Sequence, residues 1–372
     1  MRVTILILLF LVKSQAQTSA LHIADSLFAV GKYSQAIKMY NTSNIPNANI
    51  GNAYKIIGNY DAAILAYKDV IKQDSTLYNI QFDLAKLYAD TKNYDAAKQL
   101  FLKLIDVDYK NPNYHYQLGK VHQKLNDEFS AQSRFFSTYE LDNYHQNALF
   151  ELSKYHLKKA HFDTALKYAN KGLEVYASNK SLLSLKGQSL LFKDNYVEAL
   201  KTFQHLYNLN ETTDFVNIKL SLCYRYNSNY EKAIEHLKLV INNNSTDVNL
   251  LYKLAFLYEE NKDYINAAKY QEVALKLQDV SLDMQYSKLA YYYNRQKKHK
   301  QALEIYKKAL NESPNNEVIN FYIVTTKLEY YKDLEPKIKV IENFKKQFPD
   351  SKFTIFLNNK VSALKSEAFL KE

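Results

Sequence analysis

The stretch Asn59-Tyr60-Asp61-Ala62-Ala63 returns thirty-four residues later as Asn93-Tyr94-Asp95-Ala96-Ala97. Stepping on from Ala63 by the same interval lands on Ala97, Ala131, Ala165, Ala199, Ala233 and Ala267 without insertion or deletion. One extra residue brings Ala302, and a shorter step back from Ala63 reaches Ala36. Twelve residues before each of these alanines stands another small residue: Ala24, Gly51, Ala85, Gly119, Ser153, Gly187, Ser221, Ala255 and Ala290. Three residues before most of the alanines there is a ring, as Tyr33, Tyr60, Tyr94, Phe162, Tyr196, Tyr230 and Tyr264. Glu128 and His299 break that rule, and Phe129, one place along, is expected to compensate for the first.

Self-similarity at a fixed period of this length marks an array of identical supersecondary units. Two antiparallel helices per unit account for the pattern. Helix A carries the small residue and helix B the Ala, because close crossing of two axes demands small side chains at the contact. The ring before the Ala is expected to fill the wedge at the turn. Farther along helix B, Tyr67/Val70, Phe101/Leu104, Phe203/Leu206 and Tyr306/Ala309 give an apolar stripe that covers the next unit. Asp61, Asp95, Asp163 and Asp263 fall in or beside the A-to-B turns, where an acidic side chain caps helix B or favours its positive end.

Composition agrees. Of 372 residues only 6 are Gly, 5 Pro and 1 Cys, against 33 Tyr and 19 Phe. So few turn residues cannot serve the hairpins of an all-β protein or the Gly-rich loops of a large nucleotide-binding fold. A single Cys excludes an intramolecular disulfide framework and a Cys-clustered zinc site.

The recurrent slots resemble the tetratricopeptide repeat family, from about His22 to Pro314, as nine repeats. The Pro after helix B survives in Asn111-Pro112 and Ser313-Pro314, polar turns such as Asp74-Ser75 replace it elsewhere, and the early Trp of the family is absent. The resemblance implies an all-α, right-handed superhelical solenoid of antiparallel helix pairs, with a concave face lined by the A helices. Repeat one is short after Tyr40, so a truncated second helix is expected there. Beyond Pro314, residues 320–332 and 336–348 read as a degenerate tenth pair, and 353–370 as a capping helix that keeps the last apolar face from water. The array therefore occupies residues 17–314 and its closure 315–372.

Residues 1–16 read differently. Arg2 precedes an apolar run over residues 3–12, and Ser14-Gln15-Ala16 supplies small residues at the offsets of a secretory cleavage site. Ten residues fall short of the roughly 20 that cross a bilayer as a helix, so a cleaved signal peptide and an exported mature chain, periplasmic or at the cell surface, are expected. Loss of Arg2 and Lys13 lowers the formal charge from +10 to +8. In that setting the partners of a basic chain are acidic protein segments, lipid headgroups or anionic envelope polymers rather than nucleic acid.

Catalytic signatures are missing. There is no phosphate-cradling Gly loop, Ser nucleophile elbow or His-Glu-x-x-His motif, and neither enzyme activity, cofactor nor metal is expected. His122 and His156 stand three after the small residue, where other repeats have Tyr54, Tyr88, Tyr224, Tyr258 and Tyr293, and read as rings filling a repeat contact. Cys223 shares its slot with Ala53, Leu87, Val121 and Leu257 and reads as a buried, inert thiol. Arg295, Lys297, Lys298 and Lys300 form a basic cluster in the ninth A-to-B turn, read as solvated.

The candidate ligand residues lie six before, three before and one after the small residue. Repeats three to five carry Asn79/Phe82/Lys86, Asn113/Tyr116/Lys120 and Asn147/Phe150/Lys154 there. Asn249 and Tyr252 return in repeat eight, with Phe256 in the Lys place. Offsets of three and four put each trio on one helical face. Duplication alone copies a surface, but packing requires neither Asn nor Lys at an exposed site. Asn52 and Lys86 match only part of the family's carboxylate clamp, so peptide C-terminus specificity does not carry over. The sequence thus reads as a non-catalytic scaffold holding an acidic peptide or a partner protein in its groove, with the three lysines as a positive rail. The other reading is a binder of anionic polysaccharide or cell-envelope polymer.

Overall fold

A computed structural model describes residues 20–43, 46–243, 246–278 and 282–369; the expected signal segment, 1–16, lies outside them. Every regular element among the described residues is a helix. In chain order they are α1 (20–29), α2 (Tyr33–Ser43), α3 (Ala48–Ile56), α4 (Tyr60–Gln73), α5 (Tyr78–Asp90), α6 (Tyr94–Val107) and α7 (Pro112–Lys124). Then follow α8 (Glu128–Leu141), α9 (Gln146–Lys158), α10 (Phe162–Leu173), α11 (Lys180–Phe192), α12 (Tyr196–Asn208), α13 (Asp214–Tyr226) and α14 (Tyr230–Asn243). The last are α15 (Val248–Glu260), α16 (Tyr264–Lys276), α17 (Asp283–Arg295), α18 (His299–Glu312), α19 (Glu317–Tyr330), α20 (Leu334–Gln347) and α21 (Thr354–Phe369). Two compact units divide the chain, one ending at Ser189 and one beginning at Leu190. Within each, successive helices pack as antiparallel neighbours, the layering of an α-solenoid. In the first repeat α2 has 11 residues against 14 in α4, the shortening its sequence implies.

All nine alanines of the helix B slot, from Ala36 to Ala302, are 0% exposed. At Gly51 and Gly119 what faces the small residue of helix A is a ring four places after the Ala. A Cβ added to Gly51 would lie 2.5 Å from the Tyr67 ring, and one added to Gly119 would lie 2.7 Å from Phe135. Tyr40, Tyr67, Phe101, Phe135, Phe203 and Tyr306 hold this ring slot, all essentially closed to solvent. Each such burial contributes roughly 1.5–3 kcal/mol. Where the small slot carries a hydroxyl, it serves the same crossing. Ser153 Oγ donates to the Ala165 carbonyl at 2.9 Å, and Ser221 Oγ to that of Ala233 at 2.7 Å.

Every A-to-B turn closes in one way. The residue five before the Ala is left-handed in all nine repeats: Gly31, Gly58, Lys92, Asn126, Ala160, Asp194, Ser228, Lys262 and Lys297, with φ between 56° and 80°. In repeat three the Lys92 N–H donates to the Ala89 carbonyl at 3.1 Å and the Asn93 N–H to Tyr88 at 2.8 Å. In repeat eight Lys262 and Asp263 do the same to Glu259 and Tyr258, both at 2.8 Å. This is the Schellman closure of a helix end. At five of the nine turns the residue that completes it also caps the next helix. Asn59, Asp127, Asn195, Asn229 and Asp263 accept from the backbone N–H three residues on, at 3.1–3.3 Å.

One expectation is narrowed and two are corrected here. Asp61, Asp95 and Asp163 stand inside the first turn of helix B, where they favour its positive end, while Asp263 caps. Phe129 compensates for nothing, being 86% exposed, because the second position of helix B points away from the turn. The rings before the Ala do not fill a buried wedge. They start helix B half in solvent and lean toward the next repeat, as Tyr196 stacks on Tyr226 at 4.0 Å and Tyr264 meets Tyr291 edge-on at 6.2 Å.

Beyond the ninth pair, α19, α20 and α21 close around Val324, Leu328, Ile341, Phe344 and Leu357. Val324 stands thirty-four residues after Ala290, a larger side chain in the small slot. The helices of this pair start earlier than the sequence reading put them. Asn316 caps α19 by accepting from the Val318 and Ile319 N–H groups, and Asp333 precedes α20. No helix among the described residues is long and apolar enough to cross a membrane.

Candidate partner-binding face of the A helices

In the first unit, Asn79, Asn113 and Asn147 are exposed near the starts of α5, α7 and α9. Asn113 Oδ1 lies 3.4 Å from His145 Nε2 of the next repeat. The rings one turn on are half-buried, because each rests on the core between repeats. Phe82 sits edge-on to Phe101 at 5.9 Å and beside Tyr114 at 5.3 Å. Tyr116 lies 5.7 Å from Phe135 and 5.1 Å from His145, and burial pushes its hydroxyl up to about 12. Only one edge of each ring is left for a ligand.

The lysines do not form a continuous free rail. Lys86 lies over Phe82 at 5.3 Å and 3.6 Å from Asp83. Lys120 donates to Glu151 at 3.0 Å, and that nearly enclosed carboxylate also accepts from Gln123 at 2.8 Å. Lys154 lies over Phe150 at 5.7 Å and pairs with no carboxylate among the described residues. The rail is interrupted because Asp83 and Glu151 stand two places before the small residue, beside the Lys slot on the same face.

Lys154 borders a cleft of about 420 Å³ between α7, α8 and α9, with Gln123, Asn126, Glu128, Gln132, Glu151, Tyr155 and Lys158 around it. Glu128 is fully engaged by Lys158 at 3.0 Å and Lys159 at 2.9 Å, which hold its carboxyl below the usual range. Among the described residues the Lys154 ammonium in this cleft pairs with no carboxylate, and Gln132 Oε1 is an enclosed acceptor with no hydrogen-bond partner.

The second unit repeats the slots with other chemistry. Asn249 is exposed, and the Tyr252 hydroxyl donates to Gln278 Oε1 at 2.7 Å. Phe256 lies under Arg225 at 4.7 Å and Lys288 at 5.7 Å. A lysine series that the sequence reading missed, Lys219, Lys253 and Lys288, occupies the place two before the small residue. Also missed was a cleft of about 560 Å³ between α17 and α19, bordered by Met284, Tyr291, Val318 and Tyr322. Its residues occupy the same face, but Met284 and Val318 stand in the Asn slot, Ser287 in the aromatic slot and Tyr291 in the Lys slot of repeats three to five.

The remaining candidates are structural. Cys223 is fully buried, and burial raises its thiol to about 12, so it is inert as the thiolate. His122 is held 3.1 Å from Asp127, while His156 stacks on Tyr168 at 5.6 Å. In the basic turn Arg295 lies over Tyr264 at 5.1 Å and Lys298 over Tyr293 at 5.8 Å. Among the described residues no group of three His, Cys, Asp or Glu is placed to hold a metal.

Sequence profiles of the tetratricopeptide repeat family match residues 58–121 and again 286–316. No curated protein matches the sequence. Among solved structures, a tetratricopeptide repeat protein from Parabacteroides merdae is 17% identical, covering 67% of this chain and 98% of its own, with a TM-score of 0.44. The C-terminal part of a TPR repeat-containing protein from Cytophaga hutchinsonii is 18% identical, covering 74% and 98%, with a TM-score of 0.41. YrrB, described as a TPR protein with an unusual peptide-binding site, is 17% identical, covering 48% and 92%, with a TM-score of 0.45. Tetratricopeptide repeats are thus matched at residues 58–121 and 286–316, and the same slots recur nine times along the chain.

Proposed function

We propose that this chain is a non-catalytic scaffold that holds an extended, acidic segment of a partner protein against its A helices, after export and removal of residues 1–16. Tetratricopeptide repeats serve protein association in general, and a stack of near-identical helix pairs offers a long surface with no reactive centre. The observation that carries the proposal is the cleft between α7, α8 and α9. There the Lys154 ammonium borders a space of about 420 Å³ while every neighbouring charge is already paired. A carboxylate of an acidic peptide satisfies it. Asn79, Asn113 and Asn147, exposed at the same slot of three successive A helices, extend the track for its backbone.

The test is photo-crosslinking in the cell of origin, with a photoreactive residue replacing Asn147 on the A face or Glu231 at the start of α14. The same partner should be trapped from position 147 and not from 231. Its capture should fall with added salt, since exposed charges are screened over about 8 Å at physiological ionic strength, and should be lost in Lys154→Glu. Trapping from position 231 alone, or capture indifferent to Lys154→Glu, removes the proposal.

A further inference from the structure

The A face of the second unit holds two cations without counter-ions. Lys219 is half-buried, its Nζ 5.4 Å over the Phe215 ring, and Lys253 stands in the same slot of the next A helix. Neither pairs with a carboxylate among the described residues. Their neighbours are matched: Arg225 lies 2.7 Å from Glu260, and Lys288 2.6 Å from Glu259. Burial, and secondarily the charge on Lys253, lower the proton affinity of Lys219. An ammonium kept partly from water without a partner is costly; an arriving carboxylate relieves that cost at Lys219 and pairs with the exposed Lys253.

Farther along the same unit lies the cleft between α17 and α19, mostly apolar, with the Glu259–Lys288 ion pair at its border. Met284 is 77% exposed there, and Tyr291, Val318 and Tyr322 are exposed above the buried Tyr306 and Ile319. Consecutive A helices lie roughly 10 Å apart, as packed helices do, so the cleft is about 20 Å, or two repeats, from the pair of lysines. An extended chain advances about 3.3 Å per residue, which makes this distance about six residues.

We propose that the second unit docks one bipartite segment of a partner protein. A carboxylate lodges between Lys219 and Lys253, and a bulky apolar side chain about six positions away fills the cleft between α17 and α19. The inference rests on the A face being where partners are held, but it concerns a different unit and different residues from the cleft around Lys154. Charge selects the acidic end of the segment, and apolar burial holds the other end.

The probe is a fluorescein-labelled synthetic peptide with a Glu pair and a Leu pair about six residues apart in a Ser-Gly background, followed by fluorescence anisotropy on the full chain. The peptide should bind. Lys253→Gln alone, at an exposed site, and Lys219→Gln with Lys253→Gln should each weaken it about tenfold or more, the scale of a lost charge-assisted hydrogen bond. Met284→Ser with Tyr322→Ser should do likewise, with unchanged helicity by circular dichroism. In a Lys154→Glu background the lysine and Met/Tyr variants should keep their effect, which separates failure here from failure of the first cleft. A peptide with Lys in place of Glu should not bind. Absence of binding, or binding indifferent to the Lys and the Met/Tyr variants, overturns the proposal. Displacement by inorganic phosphate beyond that by chloride at matched ionic strength assigns the lysines to a phosphoryl group and overturns the carboxylate.

Discussion

Lys262 and Asn261 are adjacent, exposed and close to identical in surroundings, yet replacing each by Gly should move stability in opposite directions. Lys262 sits at φ 61°, Asn261 at φ −78°. A non-Gly residue in the left-handed region costs roughly 1–2 kcal/mol, and Gly removes that cost. Against the gain stands the extra freedom of Gly in the unfolded chain, about 0.4–1 kcal/mol. Lys262→Gly should therefore stabilise by about 0.5–1 kcal/mol, with no ion pair among the described residues to lose. Asn261→Gly relieves nothing and should cost about 0.5 kcal/mol through the same unfolded-state entropy. Stability in a repeat array is largely local, so the reading should be local too. Native-state hydrogen exchange across α15 and α16, with urea unfolding followed at 222 nm, would show the two variants on either side of the parent. Shifts of the same sign would mean that the recurring left-handed turn stores no strain.

Ala165→Leu should destabilise by about 1–3 kcal/mol through overpacking, loosening α9 and α10 first, because Ala165 is fully buried and its carbonyl receives Ser153 Oγ. Amide exchange unchanged in those two helices would contradict it. Acid should weaken the fold. Burial foremost holds His115, His122, His145, His156 and His236 below their ordinary value. The folded chain then binds fewer protons than the unfolded one, so this stability is complete above about pH 6.5 and is lost as pH falls from there through the folded values. His145 adds a structural reason, since its Nδ1 accepts from the Ala148 N–H and cannot do so once protonated. The urea midpoint should drop between about pH 7.5 and about pH 5; a midpoint that holds or rises would refute the assignment.

What was legible in the sequence follows from how strict each contact is. The two small slots could be read because no larger side chain survives at a crossing where an added Cβ already meets a ring. The left-handed turn could not, because seven of its nine positions carry Lys, Asn, Ala, Asp or Ser, and paired backbone hydrogen bonds impose the conformation without Gly. The lysines were found but their pairing was not, since Lys120 and Glu151 are brought together only by stacking of successive repeats. Lys219 and Lys253 escaped notice because the search followed Asn and the position after the small residue. The cleft between α17 and α19 escaped it because the one extra residue before Ala302 shifts the count just where the residue types also change.

The residue shared by both helices at five of the A-to-B turns has a mechanical consequence. Because the residue that ends one helix also caps the next, neither helix can be peeled from the turn without loosening the other. The hairpin therefore resists as one stiff element. B-to-A joints have no common device: Asp74, Asp108 and Asp142 make side-chain turns, Asn210 takes a left-handed bend, and Pro112 starts a helix outright. A chain put under tension would yield at those joints, shedding whole hairpins in turn, and its compliance is written in the connections that vary rather than in those that repeat.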